Sequence, residues 1–224
     1  MRQSLRAAWA IYRKDLRVEL RTRETVGSVL VFAVVTAFIF NFAFDPSPQV
    51  LGLVAPGIVW VAYVFTGMLG LNRTFQLERD RGTLELLLLA PAGREAIYWG
   101  KLGGALTVML VVEALMAPVF LFLYDLSLFS PLLAATAVLA TVGFGAVGTL
   151  FAAIAVHTRS REVLLPVLFL PLAMPVIVGA VGATTALLGG GGLAQVNPWF
   201  QLMAAFDLAT LMVCSWAFEH VLEE

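Results

Sequence analysis

The chain of 224 residues is poor in almost everything that catalysis uses: it has one cysteine, two histidines, and only 13% Asp, Glu, Lys and Arg. A single thiol, Cys214, excludes a disulfide framework and any CxxC or paired-cysteine metal motif, and leaves a structural thiol as its role. Nucleotide chemistry is missing as well. A P-loop needs Gly, four residues, then Gly-Lys and Ser or Thr, so that backbone amides cradle phosphates and the hydroxyl reaches Mg²⁺. The nearest approach, Gly93 with Gly100-Lys101, has too long a spacing and is followed by Leu102. The most informative absence concerns basic residues. All fourteen Lys and Arg fall in three short stretches: seven in the first 23 residues, five from Arg73 to Lys101, and two at Arg159 and Arg161.

Long apolar runs fill the intervals. Hydrophobic residues make up 60% of the chain and its mean hydropathy is +0.91, outside the range of soluble domains. A bilayer core of roughly 30 Å needs about 20 helical residues. Six runs satisfy that, over residues 26–44, 50–71, 102–124, 132–156, 163–188 and 199–221. They are continuously apolar, whereas the strands of a membrane barrel alternate. The predicted fold is therefore an all-α integral membrane protein with one transmembrane domain. Cytoplasmic loops are enriched in Lys and Arg, so the alternation of basic and base-free connections places both termini in the cytoplasm. The net charge of −1 says little, because the charges are segregated by loop. No small-residue cleavage site interrupts the first run before Asn41, so it reads as a retained span rather than a signal peptide.

Residues 4–24 predict a different kind of helix. Leu5, Trp9, Tyr12, Leu16 and Leu20 form one stripe, with Arg6, Arg13, Lys14, Arg17 and Arg21 around the rest. That pattern describes a helix lying in the membrane interface. The one sizeable hydrophilic connection, 72–101, contains Gly82-Thr83-Leu84-Glu85 followed by four leucines, Ala90 and Pro91. Pro91 disfavours the α conformation at Ala90, so a short helix is predicted to begin near Gly82 or Thr83 and stop before the proline. Leu84, Leu87 and Leu88 share a face that must be covered by the bilayer surface or by a partner protein.

Three stretches carry a family resemblance: Ala55-Pro56-Gly57-Ile58-Val59-Trp60-Val61-Ala62, Gly82 to Pro91, and Leu170-Pro171-Leu172-Ala173-Met174-Pro175-Val176. With them the chain resembles haem exporter protein B (CcmB), the permease subunit of the ABC-type complex of cytochrome c maturation. The resemblance implies a permease of the ABC-2 or type V exporter kind in a bacterial inner membrane. It also implies partners: a separate ATPase subunit (CcmA-like), a haem-handling membrane protein (CcmC-like), a small single-span protein (CcmD-like) and a periplasmic haem chaperone (CcmE-like). ATP and Mg²⁺ would bind the ATPase subunit. This chain would carry no cofactor and no catalytic activity, and any haem would be handled by the complex. On that reading Gly82 to Pro91 is a coupling helix: Leu84, Leu87 and Leu88 anchor it in the ATPase, Glu78, Asp80, Arg81 and Glu85 form a polar rim, and Gly82, Thr83 and Pro91 set its ends. Two ATPase subunits need two receiving surfaces, which a homodimer would supply. The rival readings are a permease for lipid or drug and a scaffold with no gated path.

Other residues remain to be placed. Haem iron is held by His, Met, Cys or Tyr, but His157 and His220 both fall at the cytoplasmic side and read as interfacial residues. Glu113 in the third span and Asp207 in the outer half of the sixth are intramembrane acids, costly and therefore functional candidates. With no Lys or Arg expected inside a span, Glu113 should be protonated and hydrogen-bonded to a Thr or a backbone carbonyl, or paired with another subunit. Pro166, Pro171 and Pro175 predict a kinked or broken fifth span and a candidate hinge. Gly100, Gly104, Gly143, Gly145 and Gly148 predict close helix contacts.

The topology is directly testable. In a background lacking Cys214, Ser47→Cys, Ser127→Cys and Gln195→Cys should react from outside the cell with an impermeant thiol reagent. Labelling of Thr83→Cys or Ser160→Cys in intact cells would contradict the six-span arrangement.

Overall fold

The computed structural model describes residues 2–43, 48–80, 82, 93–156 and 165–221. Among the described residues there are seven α-helices and no strand. They are α1 (Arg2–Thr22), α2 (Glu24–Ala43), α3 (Pro48–Asp80), α4 (Arg94–Tyr124), α5 (Pro131–Val156), α6 (Leu170–Leu188) and α7 (Leu193–Val221). Helices α2 to α7 are each long and apolar enough to cross a membrane. The protein is a multi-pass integral membrane protein.

Two of these helices overrun the bilayer. At 1.5 Å per residue the 33 residues of α3 span about 50 Å, well beyond a hydrocarbon core of roughly 30 Å. Residues 72–80 and 94–101, expected in a loop, are thus the protruding ends of α3 and α4. Hydropathy marks where the membrane ends; it does not end a helix whose next residues are good helix formers. The connection shrinks to residues 81–93. Gly82, at φ +64°, donates its N–H to the Arg79 carbonyl at 3.0 Å and closes α3 in a conformation glycine adopts without steric cost. The helix predicted within that connection lies, apart from Gly82, outside the described residues.

An elbow joins α1 to the first span. Arg23 lies in the left-handed region at φ 52°, where a non-glycine residue is uncommon. The Glu19 carboxylate accepts the Val26 N–H at 2.8 Å, satisfying one of the orphan donors at the start of α2. Along α2, Val29, Ala33 and Ala37 are buried at four-residue spacing against α3 and α4, while Val31, Ile39 and Phe42 face outward, where lipid would lie. Helix α3 is central and packs on α2, α4, α5 and α6, and α7 closes the bundle against α5 and α6.

Helix α1 docks on α4, and glycines make this possible. A Cβ at Gly100 would lie 2.8 Å from both the Ala8 carbonyl oxygen and the Ile11 Cβ, and one at Gly103 would lie 3.3 Å from the Tyr12 ring. The close contacts expected at Gly100 and Gly104 are therefore with the interfacial helix. Of the expected stripe, Tyr12 and Leu16 turn inward with Ile11, whereas Leu5, Trp9 and Leu20 stay exposed as the face a membrane surface can cover.

The fifth span, expected to be kinked or broken at its prolines, is continuous over the described residues and starts with an irregular turn. A π-helical turn over Leu165–Phe169 contains Pro166 and leads into α6, which holds Pro171 and Pro175. Each proline removes a backbone donor, and a wider turn accommodates the disturbed ladder.

Gly100→Leu should lift α1 from α4 at a cost of about 1–3 kcal/mol. The expected readings are a lower thermal midpoint in detergent and new thiol reactivity at Ile11→Cys. An unchanged midpoint with Ile11→Cys still protected would show that α1 is not held this way.

Candidate functional site

The protruding ends of α3 and α4 meet α1 in a cluster of four charged side chains directly beside the 81–93 connection. Lys101 on α4 is 1% exposed. Its ammonium lies 2.8 Å from Glu78 Oε1, 2.9 Å from Asp15 Oδ2 and 3.1 Å from the Thr74 carbonyl oxygen. An ammonium has three N–H donors, and all three are used. The Phe75 ring, 5.5 Å away at its centroid, covers a further side. Lys14 pairs with Glu78 and, at 3.2 Å, with Asp15. Two cations and two anions leave the cluster neutral.

The three helices divide the work. Glu78 lies near the end of α3, just before the connection; Lys101 lies in the second turn of α4, just after it; Lys14 and Asp15 come from α1. A buried charge is tolerated only when paired and fully hydrogen-bonded, so burial of Lys101 fixes the separation of all three. At Lys14, partial burial alone would lower the pKa, but the hydrogen bond to Glu78 and the charges of Asp15 and Glu78 outweigh it and raise it. Nearby, the Arg73 guanidinium pairs with Glu24 at 3.3 Å, and Arg94 donates to the Glu219 carbonyl at 3.0 Å, tying α2 and α7 to the same end.

A second polar group lies in the middle of the bundle. Thr141 of α5 donates to Glu113 Oε1 at 2.7 Å, and the Tyr63 hydroxyl donates to the Glu113 backbone carbonyl at 3.2 Å. This is the Thr partner expected of Glu113. Glu113 Oε2 has no protein partner among the described residues. Asp207 is 5% exposed, and neither of its side-chain oxygens has a partner among the described residues. It packs against Gly143 of α5. Asp207, expected in the outer half of the sixth span, is the middle residue of α7, which begins at Leu193. Pro198 falls inside α7, near its start, where few intrahelical bonds precede it.

The other expected residues divide simply. Glu78, expected on a docking rim, is 5% exposed and turned into the ion cluster. Asp80 is the last residue of α3 and Gly82 its cap. Arg81, Thr83, Leu84, Glu85, Leu87, Leu88, Pro91 and His157 lie outside the described residues, as does the His220 side chain. Sequence reasoning missed Lys101, Asp15 and Lys14. The one local signal was the presence of acids, Asp15 and Glu19, within a predominantly basic segment.

The family model described as CcmB protein matches residues 6–224. The chain belongs to the CcmB family. Heme exporter protein B of Paracoccus denitrificans is 32% identical over 209 residues, covering 93% of this chain and 94% of that protein. Heme exporter protein B of Rhodobacter capsulatus is 31% identical over 210 residues with the same coverage. The Escherichia coli K12 protein of the same name is 36% identical over 93 residues, 42% of each chain.

The cluster makes a quantitative expectation. Lys101→Met leaves Glu78 and Asp15 to share the single cation Lys14 and should cost about 3–5 kcal/mol, the scale for removing one partner of a buried pair. Adding Glu78→Gln should recover part of the loss in a detergent unfolding assay. A double variant no more stable than Lys101→Met would show that the Glu78–Lys101 pair is not the coupled element.

Proposed function

We propose that this CcmB-family chain is the membrane-spanning subunit of an ATP-driven haem exporter in cytochrome c maturation. It sits in a bacterial inner membrane with both termini and the 81–93 connection in the cytoplasm. The family match and the near full-length relatives named heme exporter protein B support the haem assignment. The positive-inside rule supports the orientation, because the basic α1 and the ion cluster share one end. The chain is not itself an enzyme. ATP and Mg²⁺ bind a CcmA-like partner, CcmC-like and CcmD-like proteins and a CcmE-like chaperone complete the haem pathway, and a second copy of this chain receives the second ATPase.

The observation that carries the coupling reading is the Lys101–Glu78 pair at the base of the connection. Both stems of the segment holding Leu84, Leu87 and Leu88 are held together there, and Asp15 adds α1 to the same knot. A docking segment on loose stems would absorb a partner's motion. On stems joined by a buried ion pair it transmits that motion to α3, α4 and α1 together. Leucine anchors suit this role, since full burial of each contributes about 1.5–3 kcal/mol.

Leu87→Asp or Leu88→Asp would put an unpaired carboxylate into an apolar groove at a cost of several kcal/mol, on the order of the loss in docking energy. Each variant should insert normally yet fail to co-purify the ATPase subunit, and the cells should fail to mature c-type cytochromes. Glu85→Ala should be milder, because a rim charge is screened by solvent. The purified chain alone should hydrolyse no ATP. Full ATPase recovery with either aspartate variant, at equal membrane expression, would place the leucines against lipid and overturn the docking assignment.

A further inference from the structure

Helix α1 is turned so that one flank meets the bilayer. The Tyr12 hydroxyl accepts a hydrogen bond at 3.3 Å from Thr107, which lies inside the α4 span. Lys14, two residues on and so on the opposite side of the helix, pairs with Glu78 near the end of α3. The Tyr12 side is therefore the membrane side, and α2 enters the membrane directly after the elbow. The Trp9 ring lies on that side, 5.2 Å from the Tyr12 ring. At 3.6 residues per turn, Leu5, Trp9 and Leu20 fall within an arc of about 60°, and all three are exposed. The next arc, of about 80°, holds Arg13, Arg6, Arg17 and Arg21, also exposed.

Charge selects the occupant. None of the four arginines pairs with an acid among the described residues. The acids of α1 are committed elsewhere: Asp15 pairs with Lys101 and Glu19 accepts the Val26 N–H. Arg13, Arg17 and Arg21 follow one another at four-residue spacing, where like charges repel. An anion laid along the row removes that repulsion, and a guanidinium grips phosphate through two N–H donors. The apolar arc beside the row sets the depth, because such a stripe sinks to the boundary of headgroup and acyl chain, where lipid phosphates lie next to it. A soluble phosphate would meet the arginines and leave Leu5, Trp9 and Leu20 in water. An acidic protein would have to displace the bilayer from them. We propose that α1 is a docking surface for anionic phospholipid, with Leu5, Trp9 and Leu20 among the first acyl carbons and Arg6, Arg13, Arg17 and Arg21 on the headgroup phosphates. In a zwitterionic lipid the headgroup ammonium cancels the phosphate charge. Anionic lipid then holds the outer flank of α1 as Gly100 and Gly103 of α4 admit the inner one. The surface is separate from the 81–93 connection and does not rest on the haem assignment.

Trp9 gives a direct reporter, because bromine in contact with an indole quenches its emission. The full chain is placed in phosphatidylcholine nanodiscs that carry, at matched mole fractions, either phosphatidylglycerol or phosphatidylcholine brominated at the glycerol end of the acyl chains. The share of the signal due to Trp9 is the difference between the chain and its Trp9→Phe variant. Trp9 should be quenched at lower mole fraction by the brominated phosphatidylglycerol than by the brominated phosphatidylcholine, and added salt should narrow the gap. Arg13→Gln with Arg17→Gln should lower the preference about five-fold or more. Arg13→Lys with Arg17→Lys keeps the charge and should retain most of it, which separates loss of charge from loss of fold. Equal quenching by the two lipids, a preference unchanged by the glutamines, or a loss as large with lysine as with glutamine would overturn the proposal. The first of these results would leave the arginines to an acidic protein.

Discussion

A lysine ammonium taken out of water requires three acceptors and a countercharge, and at Lys101 that requirement organises one whole end of the protein. The acceptors come from α1 and α3, the lysine from α4. Neither α3 nor α4 can shift alone without leaving a charge stranded, at a cost of several kcal/mol, and a shift of α1 takes one acceptor from Lys101. The glycines at 100 and 103 serve the same constraint, because only their missing side chains let α1 approach closely enough for Asp15 to reach. The basic helix, which on its own would float on a membrane surface, is thereby built into the bundle.

The opposite half obeys a different rule. In hydrocarbon polar groups are best satisfied internally: Tyr124 donates to the Ala37 carbonyl at 2.5 Å and Trp60 to Thr184, while Asn41, Thr66 and Thr149 each have a buried side-chain oxygen with no protein partner among the described residues. Glu113 and Asp207 add open carboxyl oxygens to that set. The Glu113 carboxyl is held by Thr141, and Asp207 packs against a glycine of the same helix as Thr141. The charged cluster is thus tightly closed, while the membrane-embedded half keeps unused polar groups.

The six spans and their order were legible, because a bilayer core imposes a length on apolar runs that few other folds imitate. Helix ends were not: the hydrophilic segments 72–80 and 94–101 looked like loop, although nothing in them terminates a helix. That misreading hid the ion cluster, since Glu78 and Lys101 are 23 residues apart and become neighbours only when both helices extend. The Thr partner of Glu113 could be anticipated by type, because a buried carboxyl among apolar helices has few other options. Its identity, Thr141, depends on how α5 packs against α4. The amphipathic stripe of α1 was readable from spacing, and its Tyr12 does dock, but Ala8, Ile11 and Asp15, which share the contact, lie beside that stripe and were set by the glycines of α4.

The central claim is that the buried charges hold α1 and the stem of the 81–93 connection as one unit. Spin labels at Arg17→Cys on α1 and Gly93→Cys at the start of α4, in a Cys214→Ser background, report their separation by electron–electron resonance in the complex with the ATPase. The account predicts one narrow distance distribution, unchanged by a non-hydrolysable ATP analogue and broadened by Lys101→Met. A distance that changes with nucleotide in the otherwise intact chain, or that stays narrow without Lys101, would contradict it.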